Sequence, residues 1–463
     1  MAERLRPCPS ERGLSDAYCG TLSVFEDRTA RAGRRIDLNL VVLPAATETP
    51  QSDPLFFLAG GPGQGAADMA ELVGRLLDKV RRQRDLVLVD QRGTGKSNPL
   101  DCPAGSDSLQ EVFASEEASI RRVRSCLESL QGDVRLYTTS IAMDDLDEVR
   151  SYLGYDRISL YGASYGTRAA LVYLRRHGAR VRSIVLDGVV PTGMRLPLFT
   201  ARDAERALNQ LLADCDASRR CRETYPGLPT RIRTLLSRLT ASPVRTRLVH
   251  PRTGVAETVD VTAQSVAGMI FGALYSPATA ALLPMLIDDA SRNDFQALVA
   301  LALAGDAPES ISVGMQLSVL CSEDAPRISA ADVEREAAGT IFGGYLAVDQ
   351  LTSCESWPRG AVDPDYYEPI ESDVPALILS GDIDPVTPAS WGDIVAQHLS
   401  RSRHLIAPGT GHGVIGTPCG TRLIAEFIDR GSADGLDATC LQSLKRPPFF
   451  LTLAGPDPVP APR

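Results

Sequence analysis

Lysine is almost missing from this 463-residue chain: Lys79, Lys96 and Lys445 stand among 48 basic residues, and all the others are arginine. Such an imbalance reads as compositional bias of the coding genome rather than as a binding device. Positive charge is also in deficit overall. The net charge of -10 with histidine neutral argues against a nucleic-acid surface or an anionic membrane as partner. Only five histidines are present, no Cys-x-x-Cys pair occurs, and no His-Cys cluster has zinc spacing. Neither a metal, a redox dithiol nor another cofactor is therefore expected. The first residues, Met1-Ala2-Glu3-Arg4-Leu5-Arg6-Pro7, lack the apolar h-region of a signal peptide. Internal repeats and low-complexity stretches are absent too, apart from a proline-rich tail, 456–463, expected to be disordered.

Against these gaps one stretch stands out. Arg157-Ile158-Ser159-Leu160-Tyr161 reads as a short strand, Gly162-Ala163-Ser164-Tyr165-Gly166 as a sharp turn, and Thr167 to Arg175 as a helix. G-x-S-x-G at a strand-to-helix elbow holds the serine in strained backbone, which needs small residues two before and two after it. The hydroxyl of Ser164 then points to the helix N-terminus, where partial positive charge favours an oxyanion. Taken alone, the motif also fits a glycine turn before a helix.

Nucleophilic serines of this kind are followed along the chain by an acid and then a histidine. Arg403-His404-Leu405-Ile406-Ala407 reads as a strand, and His412 lies in the glycine-rich loop after it. His404 begins that strand and reads as a surface or packing residue, His398 lies in a helix over 394–399, His177 closes another helix, and His250 sits in a polar hairpin. Val374 to Ser380 is an apolar strand followed by Gly381-Asp382-Ile383-Asp384-Pro385. Asp384, three residues past the glycine and before a helix-starting proline, is favoured as the carboxylate that orients the imidazole, with Asp382 capping the turn. A second oxyanion donor is expected from Ala59-Gly60-Gly61-Pro62-Gly63, the loop after Pro54 to Leu58. Gly61 N–H and Tyr165 N–H form the expected pair.

Two nucleotide-like patterns carry less. Gly61-x-Gly63-x-x-Ala66 resembles a dinucleotide fingerprint but holds Pro62 and lacks the third glycine. Gly95-Lys96-Ser97 resembles the end of a P-loop, yet the first glycine of that motif falls on Asp90.

Together Ala59-Gly60-Gly61-Pro62-Gly63, Asp90-Gln91-Arg92-Gly93-Thr94-Gly95-Lys96-Ser97, Gly162-Ala163-Ser164-Tyr165-Gly166-Thr167, Gly381 to Pro388 and Gly411-His412-Gly413 resemble the exported branch of the prolyl-iminopeptidase-like α/β-hydrolases. These are the tripeptidyl aminopeptidases with a TAP-like C-terminal segment. The opening Tyr18-Cys19-Gly20-Thr21-Leu22-Ser23-Val24 is similar as well, so the resemblance runs from about Cys8 to Cys440. It implies an α/β-hydrolase fold, with Ser164 as nucleophile, His412 as base, Asp384 as orienting acid, and Gly61 with Tyr165 as oxyanion donors. Ala59 departs from the histidine that many prolyl iminopeptidases have there, which loosens the substrate assignment.

Ten cysteines, an even number, point to an oxidising compartment, secreted or periplasmic. Spacing and the resemblance together favour pairing of neighbours: Cys8–Cys19, Cys102–Cys126, Cys215–Cys221, Cys321–Cys354 and Cys419–Cys440. An exported chain of this sequence is expected to begin after a removed signal, with Met1 added.

Short apolar strands at 55–58, 86–90, 158–161 and 183–186 alternate with helical segments, after two antiparallel strands within 19–43, which predicts a mainly parallel sheet. From about Leu196 the pattern becomes helical, with a hairpin at 245–250 and 257–261. The expected division is a hydrolase core over 1–195, a mostly helical cap insertion over 196–360, and the returning core with the TAP-like segment over 361–455. Asp144-Asp145-Leu146-Asp147-Glu148 reads as the solvated first turn of a helix. Val266 to Ile287 is uncharged and long enough to span a bilayer, but Pro277 and Pro284 make two buried cap helices the better reading.

A closing cap favours short substrates or chain ends. An aminopeptidase must also pair the substrate ammonium with a carboxylate, and Glu323 and Asp324 are candidates, although they could equally cap a loop or face water. The expected activity is release of single residues or short peptides from peptide N-termini. Carboxylester hydrolysis by the same triad, or a non-catalytic binder that keeps the fold, are the alternatives.

Overall fold

A computed structural model of the chain describes residues 5–9, 16–103, 108–113, 116–304 and 311–456. Apart from Pro456, the expected disordered tail lies outside the described residues.

Nine strands form one sheet: β1 (Arg6–Pro7), β2 (Tyr18–Phe25), β3 (Arg35–Leu43), β4 (Leu55–Leu58), β5 (Leu86–Val89), β6 (Ile158–Ala163), β7 (Val181–Asp187) and, after the hairpin β8 (Val244–Val249) and β9 (Ala256–Val261), β10 (Ala376–Gly381) and β11 (Ser402–Ala407). The sheet order is β1-β2-β3-β5-β4-β6-β7-β10-β11. Pairings from β1 to β5 are antiparallel and those from β5 to β11 parallel. This is an α/β sheet with mainly parallel strands. β1 was not legible beforehand, because two residues at an edge carry no alternation.

Strands buried on both faces explain the continuous apolar runs. In β4, Phe56 and Leu58 enter one core while Leu55 and Phe57 enter the other. The first core takes the helices Thr139–Leu153 and Tyr165–His177, and the second takes Ala70–Leu76 and Pro418–Arg430.

Between β7 and β10 the chain forms helices and the β8–β9 hairpin around a third apolar core. The two ends of the stretch 313–357 depart from a separate cap: Met315, Leu317, Val319, Cys354 and Trp357 belong to the core beside the sheet, while Phe342 between them stays in the insertion's core. In the other direction, Leu109 is buried in the insertion's core, and Phe113, Phe449 and Leu451 pack on it. A C-terminal strap crosses it as well: Arg446 bonds Asp214 at 2.9 Å, the Phe450 amide donates to the Ala281 carbonyl at 3.1 Å, and the Tyr225 hydroxyl donates to the Phe450 carbonyl at 3.1 Å.

Three local expectations need correction. Asp144 to Glu148 lies in the middle of the helix Thr139–Leu153, not in a solvated first turn. Asp145 is buried there, and both its oxygens face Arg92, itself fully buried, at 2.6 and 2.9 Å. The charge run hid an interior ion pair. Val266 to Ile287 is divided among three helices, Ala263–Leu274, Pro277–Ala280 and Leu283–Ser291, because Ser276 caps a separate short turn. Among the described residues no helix is long and apolar enough to cross a membrane. His398 follows the helix Ala389–Ala396 rather than lying within it.

All ten cysteines are bonded, as Cys8–Cys19, Cys102–Cys126, Cys215–Cys221, Cys321–Cys354 and Cys419–Cys440.

Candidate active site

Ser164 stands between β6 and the helix Tyr165–His177 with φ 54° and ψ -125°, a left-handed conformation that costs a non-glycine residue of order 1–3 kcal/mol. Its surroundings enforce it. A β-carbon on Gly162 would strike the Gly166 carbonyl, and one on Gly166 would strike the Leu58 carbonyl. The Ser164 amide donates to the Asp187 carbonyl at 2.9 Å, and its own carbonyl accepts Thr167 N–H at 2.8 Å and the Thr167 hydroxyl at 2.6 Å.

Asp384 and His412 come from the loops after β10 and β11. His412 Nδ1 lies 2.8 Å from Asp384 Oδ2, which orients the ring with Nδ1–H toward the acid and leaves Nε2 without a hydrogen-bond partner among the described residues. Asp384 is fully buried, and it also accepts the Val386 and Thr387 amides at 2.8 and 2.9 Å and the Thr387 hydroxyl at 2.8 Å. Burial works against its charge, but the His412 charge, the bond to that ring and the two amides outweigh it, holding the carboxyl below the ordinary range. For His412, burial disfavours the imidazolium, yet the charge and hydrogen bond of Asp384 and the more distant charge of Asp187 lift it above the ordinary histidine value.

The serine and histidine loops meet across β7. Gly188, the residue after β7, lies against the His412 ring and the Thr387 hydroxyl, while Asp187 before it holds the Ser164 amide. The buried Asp187 carboxylate accepts Val414 N–H at 2.8 Å, Ile415 N–H at 2.8 Å and the Tyr161 hydroxyl at 2.7 Å. Burial raises this carboxyl above its ordinary value despite those donors. Asp187 and Thr387 were missed as site residues, and only their places at the ends of β7 and in the acid loop could have flagged them.

Gly61 has φ 105°, a backbone state that favours glycine. Gly60 is close enough that a β-carbon there would lie 3.2 Å from the Ser164 β-carbon. The Gly60 amide turns to Gln64 Oε1 at 3.3 Å. Among the described residues the Gly61 and Tyr165 amides have no partner, which leaves both as donors beside Ser164.

Glu323 and Asp324 are not exposed to the cleft, and here the expectation of an ammonium site fails on burial. Both are 0% exposed. Asp324 is taken by Arg168 at 2.7 and 3.2 Å and by the Leu196 amide at 3.1 Å. Glu323 accepts the Thr139 amide and hydroxyl at 2.7 and 2.9 Å and the Tyr366 hydroxyl. Thr139 in turn meets the Tyr165 hydroxyl at 2.6 Å. Burial pushes the Glu323 carboxyl up to about 7, against the pull of Arg168 and these donors. The pair buttresses the elbow helix from below.

The nucleotide-like motifs have structural uses. Asp90 accepts the amides of Ala67 and Lys96 at 2.8 and 3.0 Å and Asn39 Nδ2 at 2.8 Å, and Ser97 Oγ accepts the Asn39 amide at 2.7 Å. His404 bridges Asp393 and Ser380 at 2.8 and 2.9 Å. His177 meets Asp144 at 2.9 Å, and His250 is buried just after β8. Among the described residues no group of three His, Cys, Asp or Glu could hold a metal ion.

Comparison with known proteins agrees with this architecture. The α/β-hydrolase-fold family model matches residues 53–223, and the TAP-like protein model matches residues 339–440. Serine protease Hip1 of Mycobacterium tuberculosis is 26% identical over 474 residues, covering 94% of this chain and 90% of its own. The tripeptidyl aminopeptidase of Streptomyces coelicolor is 24% identical, covering 91% and 82%. The proline iminopeptidase of Neisseria gonorrhoeae is 29% identical over a shorter stretch, 30% of this chain and 34% of its own. The chain belongs to the α/β-hydrolases that carry a TAP-like C-terminal segment, and it is a serine hydrolase.

Proposed function

We propose that this serine hydrolase is an exported exopeptidase that releases single residues or short peptides from peptide N-termini. The observation that carries the reading is the 2.8 Å bond between His412 Nδ1 and buried Asp384, on the loops after β10 and β11, which lie across β7 from the strand end holding Ser164. In the proposed reaction His412 Nε2 takes the Ser164 hydroxyl proton as Oγ attacks the peptide carbonyl. The Gly61 and Tyr165 amides hold the oxyanion, and His412 returns the proton to the leaving amine. Water activated by His412 then frees the acyl fragment. The relatives named as peptidases support a peptide substrate, and five disulfides support an oxidising destination.

One observation favours a second reading, a carboxylesterase on the same triad. The two carboxylates best placed in the sequence to bind a substrate ammonium are both fully buried and already paired. An assay panel separates the two: free-amine aminoacyl and tripeptidyl anilides, their N-blocked counterparts, and short acyl esters. The peptidase reading expects turnover that falls sharply on blocking the amine. Turnover indifferent to blocking, with esters dominant, overturns it. Fluorophosphonate labelling of the wild type but not of Ser164→Ala tests the nucleophile itself.

A further inference from the structure

The insertion reaches the histidine loop through Tyr275, at the end of the helix Ala263–Leu274. The Tyr275 carbonyl accepts the His412 amide at 2.9 Å. Its ring stands edge-on to the imidazole, with centroids 5.3 Å apart and planes at 77°. Gly411 lies so close to the Tyr275 carbonyl and to Pro277 that no side chain fits between them. The Tyr275 ring also meets Phe271 at 5.3 Å, and Phe271 meets Phe342 at 6.4 Å. Phe342 is buried in the insertion's core, which anchors this aromatic row at one end. At the other end Tyr275 keeps 37% of its surface exposed. A part-exposed ring, backed by a second aromatic and set edge-on to the imidazole, has the form of a binding wall.

We infer that Tyr275, backed by Phe271, forms the leaving-group subsite, and that it selects substrates whose first residue after the scissile bond carries an apolar, above all aromatic, side chain. The inference rests on the proposed triad chemistry in one respect. His412 gives its proton to the leaving amine, so the departing fragment must lie beside that ring. The neighbour of the imidazole on the insertion side is Tyr275. An aromatic side chain there stacks on a ring already held in place, whereas glycine leaves the ring in water.

Partition of the acyl-enzyme reads this subsite directly. The full chain is acylated with a p-nitrophenyl ester, releasing p-nitrophenol, in the presence of glycinamide, leucinamide or phenylalaninamide. The added amine attacks the acyl carbonyl, a new amide bond forms as the bond to Ser164 Oγ breaks, and the amine proton passes through His412 to that oxygen. Water competes for the same intermediate, so the amide-to-acid product ratio measures binding of each amine. Phenylalaninamide and leucinamide are expected to exceed glycinamide on the order of tenfold. Tyr275→Ala should collapse this preference to within about twofold, and Tyr275→Phe should keep it. Equal partition of the three amines in the wild type, or a preference that survives Tyr275→Ala, overturns the inference. Each ratio is internal to one enzyme preparation, so a loss of overall activity cancels. Should Tyr275→Ala fail to fold, Tyr275→Leu removes the aromatic face and keeps an apolar side chain; it should lower phenylalaninamide partition relative to leucinamide, and an unchanged ratio overturns the inference. Because an ester supplies the acyl group, the result stands or falls separately from the peptide-substrate reading.

Discussion

Asp187 links Ser164 to the histidine loop through two different parts of one residue. Its carbonyl accepts the Ser164 amide at 2.9 Å, and its carboxylate accepts the Val414 and Ile415 amides, both at 2.8 Å. The end of β7 therefore sets the distance between a strained serine and the glycine-flanked histidine loop. Asp187→Asn replaces one acceptor oxygen with a donor and sets it against backbone N–H groups. We expect kcat to fall by up to about a hundredfold through misplacement of His412, with KM little changed. Steady-state kinetics with one ester substrate check this; an unaltered kcat in a folded variant would show that the histidine loop holds its place unaided.

Activity should follow the protonation of His412. The ring must be neutral to accept a proton, and Asp384 holds its pKa above 6.5. The acid limb of the kcat/KM profile is thus expected to turn over above that value, with activity lost as pH falls through it. Asp384→Asn removes the charge that raises the ring, so the limb should move to lower pH while kcat drops by about 10⁴-fold. A limb that stays in place would mean that another group governs it.

The Arg92–Asp145 pair should dominate a different measurement, stability. Arg92 is 0% exposed and also donates to the Glu26 and Leu136 carbonyls at 2.8 and 2.9 Å. Asp145→Ala leaves that guanidinium buried without its anion, which costs about 3–5 kcal/mol. Denaturant titration measures it, and a loss below about 1 kcal/mol would show that water reaches Arg92.

Glu323 gives stability a pH slope of known sign. Its folded carboxyl titrates at about 7 rather than near 4.5. The native state therefore keeps a proton that the unfolded chain releases, and this group's contribution declines as pH rises through that window. Glu323→Gln cannot titrate and should flatten the slope. Denaturation midpoints at several pH values between about 5 and 7.5 test it; parallel curves for wild type and variant would contradict it.

Thiol chemistry offers the simplest check. With all ten cysteines bonded in five pairs, the unfolded but unreduced protein should react with a thiol reagent hardly at all. Ten reactive thiols would remove the argument for export.

What could be read in advance was whatever local chemistry dictates. Ser164, Asp384 and His412 each follow a short strand, and glycines mark the turns that carry them, so strand ends and candidate chemistry came from short windows. Asp187 and Tyr275 escaped because their importance arises from partners 227 residues away in one case and from the far side of an insertion in the other. Glu323 and Asp324 illustrate the opposite error. An acidic pair looks solvent-seeking in sequence, and only the fold reveals Arg168, Thr139 and Tyr366 waiting in the interior. The acidic helix at 144–148 misled for the same reason, with Arg92 arriving from another segment.

The shared core between insertion and body has a practical corollary for dissection. Leu109, Phe449 and Leu451 fill the insertion from outside its own stretch of chain, while Met315 and Trp357 leave it to fill the body. Excising 196–360 as an isolated fragment would expose apolar surface on both products, so neither half should express as a soluble unit, and chimaeras between relatives will need to exchange the strap together with the segment it binds.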